Sequence, residues 1–152
     1  MYEIREDDLS GADTRGLLAL HLAGMHASSP PGTVFALDLS GLQRPQITVW
    51  TAWRQGRIAC VGALKALSAT HGEIKSMRAH PDFAGRGAGA AILDHIITVA
   101  RDRGMMRLSL ETGRGPAFEA AVKLYARRGF LPGDAFADYP QTAFNQFFHV
   151  EL

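Results

Sequence analysis

The residues with the most concentrated chemical potential form one run, His80-Pro81-Asp82-Phe83-Ala84-Gly85-Arg86-Gly87-Ala88-Gly89-Ala90. Glycines let a backbone approach a ligand closely and adopt conformations closed to larger residues. If a helix begins here, its unpaired N–H groups and the positive end of its dipole create a site for an anion. Small Ala88, Gly89, Ala90 and Ala91 keep the first turn open, and Arg86 adds a cation at the rim. A pyrophosphate suits this chemistry. A Walker loop does not, because no Lys-Ser/Thr follows the glycines. A dinucleotide fingerprint can be written as Gly85-x-Gly87-x-x-Ala90, with Glu111 ending the next strand where a ribose-binding acid would sit. Against it, Pro81 and several polar residues separate the glycines from the preceding strand, which is itself too polar for the buried middle of a parallel sheet. The remaining reading is a ligand-free turn, opposed by the cost of glycine in a helix interior, about 1 kcal/mol each relative to Ala.

Other side chains have chemistry to offer. Glu73 opens a strand and Glu111 ends another; each is either a proton acceptor or a solvated strand-end charge. Tyr125 shares a helical face with Phe118, Ala121 and Val122, so spacing alone makes it a core aromatic. His80 reads as a helix-entry residue or a base. His21, between Leu17 and Met25 on an apolar face, reads as a core histidine. Arg114 and Lys123 suit either phosphate contact or plain surface. The six histidines give no metal-ligand pair on one helix face, and Cys60 is the single cysteine. No metal site and no intrachain disulfide are expected. Cys60 lies among Ile58, Ala59 and Val61, as a small buried hydrophobe would.

The elements that must position these groups follow from periodicity and breakers. Tyr2–Arg5 is a short strand. Residues 13–27 carry Leu17, Leu18, His21, Leu22 and Met25 at helical spacing, stopped by Ser28-Ser29-Pro30-Pro31-Gly32. Residues 33–46 are a short helix or a loop. Ile47–Trp53 and Arg57–Leu67 form a hairpin around Gln55-Gly56. His71-Gly72 is expected to break the chain before a polar strand, Glu73–Ala79. Gly85–Arg103 is a helix with Ala88, Ile92, Ile96 and Val99 on one face, closed by Gly104. Arg107–Leu110 is a strand ending in Glu111-Thr112-Gly113. A helix begins near Pro116 and closes at Gly129, with Arg127 and Arg128 in its last turn opposing the dipole. Asn145–Leu152 is the final strand. This order predicts a mixed α/β sheet in a single domain, 1–152.

A chain of 152 residues, just under half of them apolar, can bury a real core. No run approaches the roughly 20 apolar residues of a membrane span, and Met1–Glu6 lacks a signal-peptide layout. Neither a membrane nor a nucleic acid is an expected partner; cytoplasm is the default compartment. The net charge is +1, yet residues 74–128 hold ten Lys/Arg against five Asp/Glu. That local excess suits a compact polyanion better than a DNA backbone.

Ala84-Gly85-Arg86-Gly87-Ala88-Gly89 resembles motif A of the GNAT acetyltransferases, Gln/Arg-x-x-Gly-x-Gly/Ala, with Ala84 in the place of the first Gln or Arg. Ala121-Val122-Lys123-Leu124-Tyr125-Ala126-Arg127-Arg128-Gly129-Phe130 resembles motif B, Ala-x-x-Leu-Tyr-x-x-x-Gly-Phe, with Phe118 where an Asn is common. The resemblance is specific from Glu73 to Phe130. Glu-Ile-Lys-Ser-Met-Arg at 73–78 and Leu-Ser-Leu-Glu-Thr-Gly at 108–113 resemble those of small bacterial members. It implies a mostly antiparallel central sheet flanked by helices, and acetyl-CoA as cosubstrate. It implies that Met77, Arg78 and Ala79 run beside the pantetheine arm, with Met77 and Ala79 offering backbone groups. Ala84, Gly85, Arg86, Gly87, Ala88, Gly89 and Ala90 would then hold the pyrophosphate. A main-chain N–H of the fourth strand would stabilise the oxyanion. By the same resemblance Tyr125 is the acid that protonates the leaving thiolate, and Glu73 is the base, acting through a water. Glu111 is the rival base or a contact for a cationic acceptor, and His26, beside Ser28 and Ser29, rims the acceptor pocket built from residues 25–46. The implied reaction is direct transfer, in a ternary complex, to the primary amine of a small molecule. Acetylation of protein lysines or N-termini, and a non-catalytic acyl-CoA-binding or sensor domain, are the alternatives. A homodimer is left open.

Overall fold

A computed structural model describes all 152 residues. Seven strands form one sheet: β1 (Glu3–Asp7), β2 (Ile47–Arg54), β3 (Arg57–Ala66), β4 (His71–Ala79), β5 (Arg107–Gly113), β6 (Leu131–Gly133) and β7 (Asn145–Glu151), in the spatial order β1-β2-β3-β4-β5-β7-β6. The helices are α1 (Ala12–Ser28), α2 (Leu39–Leu42), α3 (Ala88–Asp102) and α4 (Glu119–Arg127). Every neighbouring pair of strands is antiparallel except β4 and β5. These two run parallel and pair only where His71, Gly72 and Glu73 face Arg107, Leu108 and Ser109. Beyond Glu73 they part, so the sheet opens towards their carboxyl ends.

Two cores follow from strand alternation. On one face Leu64, Ile74, Leu108 and Leu110 pack with Ile92, Leu93 and Ile96 of α3. On the other, Val49, Val61 and Ala63 pack with Leu17 and Leu18 of α1. Asp7 fixes where α1 starts: one carboxylate oxygen accepts from Thr14 Oγ1 at 2.8 Å and Thr51 Oγ1 at 3.0 Å, the other from the Leu9 N–H at 2.8 Å.

Most expected elements are present, with four differences. His71-Gly72 belongs to β4 and does not break it. The chain reverses earlier, where Ser68 Oγ accepts from the N–H groups of Thr70 and His71, and Gly72 is a packing glycine beneath Met105, Leu108 and Leu64. α3 starts at Ala88, three residues later than expected, because Gly85 (φ 73°) and Gly87 (φ 82°) are left-handed and cannot join a right-handed helix. A 3₁₀ turn, Pro116–Phe118, precedes α4. β6, short and exposed, gave no periodic signal.

β4 carries a bulge. Val61 faces Arg78 and Ala63 faces Lys75, so three steps on β4 oppose two on β3. Ser76 sits inside it at φ 57°, a left-handed conformation on a non-glycine residue. Opposite, Gly62 leaves room for the strand: a Cβ there would meet Met77 Sδ at 2.5 Å and Ile92 Cγ2 at 2.6 Å. Gly62→Ala should therefore destabilise the fold by about 1–3 kcal/mol through overpacking. Urea unfolding measures it, and an unchanged midpoint would show that the bulge does not depend on this contact.

Candidate active site

The parting of β4 and β5 opens a cleft of about 840 Å³, within the range of small-molecule sites. One wall is β4 and another is β5 with α4; the Gly85–Ala90 turn and the start of α3 close one end, and α1 with residues 35–36 the other.

At the glycine end the chain has the geometry of an anion cradle. Gly87 is the residue before α3 and, like Gly85, has nothing within 4 Å of where a Cβ would stand. No side chain caps α3, so its first N–H groups remain available. Ala84, Gly85, Gly87, Ala88, Gly89 and Ala90 all border the cleft. Arg86 does not; it is exposed, and its carbonyl accepts from Tyr2 Oη at 2.7 Å. Lys123 and Arg127 of α4 border the cleft instead. Arg128 binds Asp94 through two hydrogen bonds, 2.6 and 3.1 Å, and so ties the end of α4 to α3. Arg114 lies outside the cleft and reaches Gln146.

Midway, Met77, Arg78 and Ala79 line the β4 wall. Ser76 Oγ is enclosed and has no protein partner, so the bulge leaves a polar atom unsatisfied beside the cleft. Tyr125 is nearly buried, borders the same space, and its hydroxyl makes no hydrogen bond within the protein. Burial, with the nearby Cys60 next in weight, pushes its pKa above the ordinary phenol value, so it stays protonated. Cys60 is buried too, and desolvation raises its thiol to about 12.

At the far end two carboxylates converge. Glu73 is 2% exposed. Its Oε2 accepts from Lys75 Nζ at 3.2 Å and from Tyr139 Oη, which Lys75 also contacts. Glu111 lies across the gap, and burial raises its pKa to about 7 despite the downward pull of Asn145 and Lys75. Burial, then the charge and hydrogen bond of Glu73, raise the Tyr139 phenol. On the α1 side, Arg78 Nε donates to His21 Nδ1 at 3.0 Å. Desolvation first, then Arg78 and Lys75, lower His21 to about 4, so it is neutral.

The sequence profile of the Acetyltransferase (GNAT) family matches residues 12–130. The chain belongs to the GNAT acetyltransferases. This GNAT chain is 42% identical over 152 residues to the Uncharacterized N-acetyltransferase YedL of Escherichia coli K12, covering 100% of this chain and 96% of that one. It superposes on a Klebsiella pneumoniae protein assigned to the acyl-CoA N-acyltransferases with a TM-score of 0.84 at 28% identity, over 100% and 98% of the two chains. A GNAT acetyltransferase from Elizabethkingia anophelis, solved with acetyl-CoA bound, shares the fold at a TM-score of 0.75 and 16% identity, over 99% and 98%.

Within the GNAT frame, Tyr125, Glu73, Glu111 and the glycine turn line one cleft. Two expected contacts are corrected. His26 is exposed and points out of the cleft, because the inward face of α1 passes through His21, Gly24, Met25 and Ser28. The Arg86 side chain is outside as well. Glu73 is no solvated strand-end charge, and His80 is a helix-entry residue, accepting from the Asp82 N–H at 3.1 Å. Sequence reading missed Tyr139, Lys75 and Asn145. Tyr139 arrives from a loop without periodicity. Lys75 alone had a signal, standing two positions from Glu73 on one strand.

His21 gives a pH test. Unfolded, it takes a proton near 6.5; folded, not until about 4. The unfolded state binds more protons in that window, so this contribution is intact above pH 6.5 and fades as pH falls towards 4. Acidification from pH 7 to 4.5 should cost the native chain roughly 1–3 kcal/mol more than His21→Gln in urea unfolding. Parallel losses in the two proteins would place His21 in contact with water.

Proposed function

We propose that this protein transfers an acetyl group from acetyl-CoA to the primary amine of a small molecule by direct attack. The observation that carries this is the joining, in one cleft, of an uncapped helix start behind two left-handed glycines, an unpartnered buried phenol and a pair of carboxylates. Acetyl-CoA supplies an activated acyl carbon and a thiolate leaving group.

The main-chain N–H groups from Gly87 to Ala90 bind the pyrophosphate, as polar groups at a helix start do. Met77 and Ala79 pair through their backbones with the pantetheine arm, and the bulge at Ser76 turns β4 N–H groups to the thioester oxygen. A carboxylate takes one proton from the bound ammonium, the freed amine attacks the acyl carbon, and the nitrogen's second proton passes to water. Of the two candidates Glu111 is the better poised, since a base works best with a pKa near the working pH. Glu73, hydrogen-bonded by Lys75, orients the ammonium or the relaying water. The carbon–sulfur bond then breaks and Tyr125 donates its proton to sulfur. Burial keeps the Tyr125 phenol protonated, so the proton is in place when the thiolate departs.

Acetylation of a small amine is favoured over that of a polypeptide because Glu73 is buried and hydrogen-bonded by Tyr139, whose ring packs edge-on against Phe35. Acetyl-CoA should raise the melting temperature by several degrees, as saturating ligands do, and thiol release over a panel of amines should identify an acceptor. Tyr125→Phe should lower kcat about 100-fold or more, a typical acid–base contribution, with cofactor affinity unchanged. The kcat profile should rise through pH 7 and lose that limb in Glu111→Gln. A limb that survives there and vanishes in Glu73→Gln makes Glu73 the base. A melting temperature indifferent to acetyl-CoA removes the proposal.

A further inference from the structure

Arg78 is a half-buried cation of the cleft without a counterion; Lys123 and Arg127, also unpaired, are exposed to solvent. The neighbouring Lys75 is neutralised by Glu73, whereas no carboxylate lies within salt-bridge distance of the Arg78 guanidinium. The group is half-buried, which disfavours its charge, and it is nonetheless held in place. His21, neutral by burial, takes the Nε–H, and Nη2 makes one long contact with the His21 carbonyl at 3.5 Å. The outer edge of the fork, Nη1 and the rest of Nη2, has no protein acceptor. Such an edge matches the two oxygens of a carboxylate.

α1 is shaped for this guanidinium. At Gly24 a Cβ would stand 2.9 Å from Nη2 and 3.3 Å from Cζ, so the planar group lies against bare helix backbone. A mid-helix glycine weakens a helix relative to alanine, and here it makes room for the fork. The pyrophosphate cradle is an unsuitable destination. Arg78 follows the bulge and packs on α1, which lies on one face of the sheet, whereas α3 packs on the other.

We propose that the acceptor is an amino carboxylate: Arg78, seated on Gly24 and steadied by His21, binds the carboxylate, while Glu73 and Glu111 receive the amine. This rests on the acetyltransferase reading above and adds the substrate class. The acceptor half of the cleft is bipolar, a cation on the α1 side and two acids where β4 and β5 part. A zwitterion satisfies both ends. A simple amine leaves the half-buried arginine unpaired, and a peptide N-terminus carries its nearest main-chain carboxylate too far along the chain.

The test uses the full-length protein and matched acceptors: free amino acids, the same amino acids as carboxamides, and the same amines lacking the carboxyl group. Thiol release from acetyl-CoA is followed for each. The expected result is kcat/KM at least 10-fold higher for the acids than for either analogue. Arg78→Gln should erase that preference by raising KM for the acid with little effect on the carboxamide. Gly24→Ala, a substitution the helix tolerates, should raise KM for the acid in the same direction while circular dichroism and acetyl-CoA-induced stabilisation stay unchanged. Acids no better than their carboxamides, including a panel in which neither is turned over, overturn the proposal while acetyl-CoA binding still stands. Absence of acetyl-CoA binding overturns both readings together, so the two failures are distinguishable.

Discussion

A parallel pairing that lasts three residues and then fails is the constraint on which the molecule depends. Parallel neighbours must be joined by a crossover, and α3 supplies it between β4 and β5. Because the pairing sits at the amino ends of both strands, they separate at their carboxyl ends. The turn leading into α3 must leave from the end of β4, so its glycines are delivered to the mouth of the gap. Open α/β sheets bind ligands beyond the carboxyl ends of strands for the same reason. The bulge at Ser76 and the packing glycine at Gly62 serve this arrangement, letting β4 bend away from β5 while staying paired with β3.

The gap then divides by charge. Towards the glycine turn lie helix N–H groups, Lys123 and Arg127; towards α1 and the parting point lie two acids, a paired lysine and an unpaired arginine. The excess of cations in residues 74–128 is thus partly placed where a polyanion would sit and partly spent on ion pairs such as Arg128–Asp94. The loop between β6 and β7 closes the acidic end. Phe136 packs among His71, Tyr139, Phe147 and His149, and Asn145 holds the loop through the Pro140 carbonyl at 2.9 Å and the Thr142 N–H at 2.8 Å. His149 also links to Ser109 at 2.7 Å and to the Asp134 carbonyl at 2.8 Å.

Local chemistry was legible in the sequence wherever one segment dictates its own shape. α1, α3, the β2–β3 hairpin and the glycine turn follow from periodicity and breakers, and the family resemblance rests on the same residues. What depends on distant segments meeting was not legible. Periodicity cannot show that Tyr139 hydrogen-bonds Glu73 across 66 positions, or that burial lifts Glu111 while lowering His21. His26 was proposed from its neighbours Ser28 and Ser29, yet its place on α1 leaves it exposed while His21, Gly24, Met25 and Ser28 line the cleft. The bulge escaped because an extra residue in β4 has no compositional mark; Ser76 is not a glycine.

Cys60 has one more consequence. It is the only sulfhydryl in the chain, sits 1% exposed in the main core, and holds its proton up to about 12. Thiols react as thiolates and only where reagents reach them. The folded protein is therefore silent towards aromatic disulfides and maleimides. Coenzyme A released in an acetyltransferase assay can be titrated by such reagents in the reaction mixture itself, with no blank contributed by the protein and no covalent dimer to contend with.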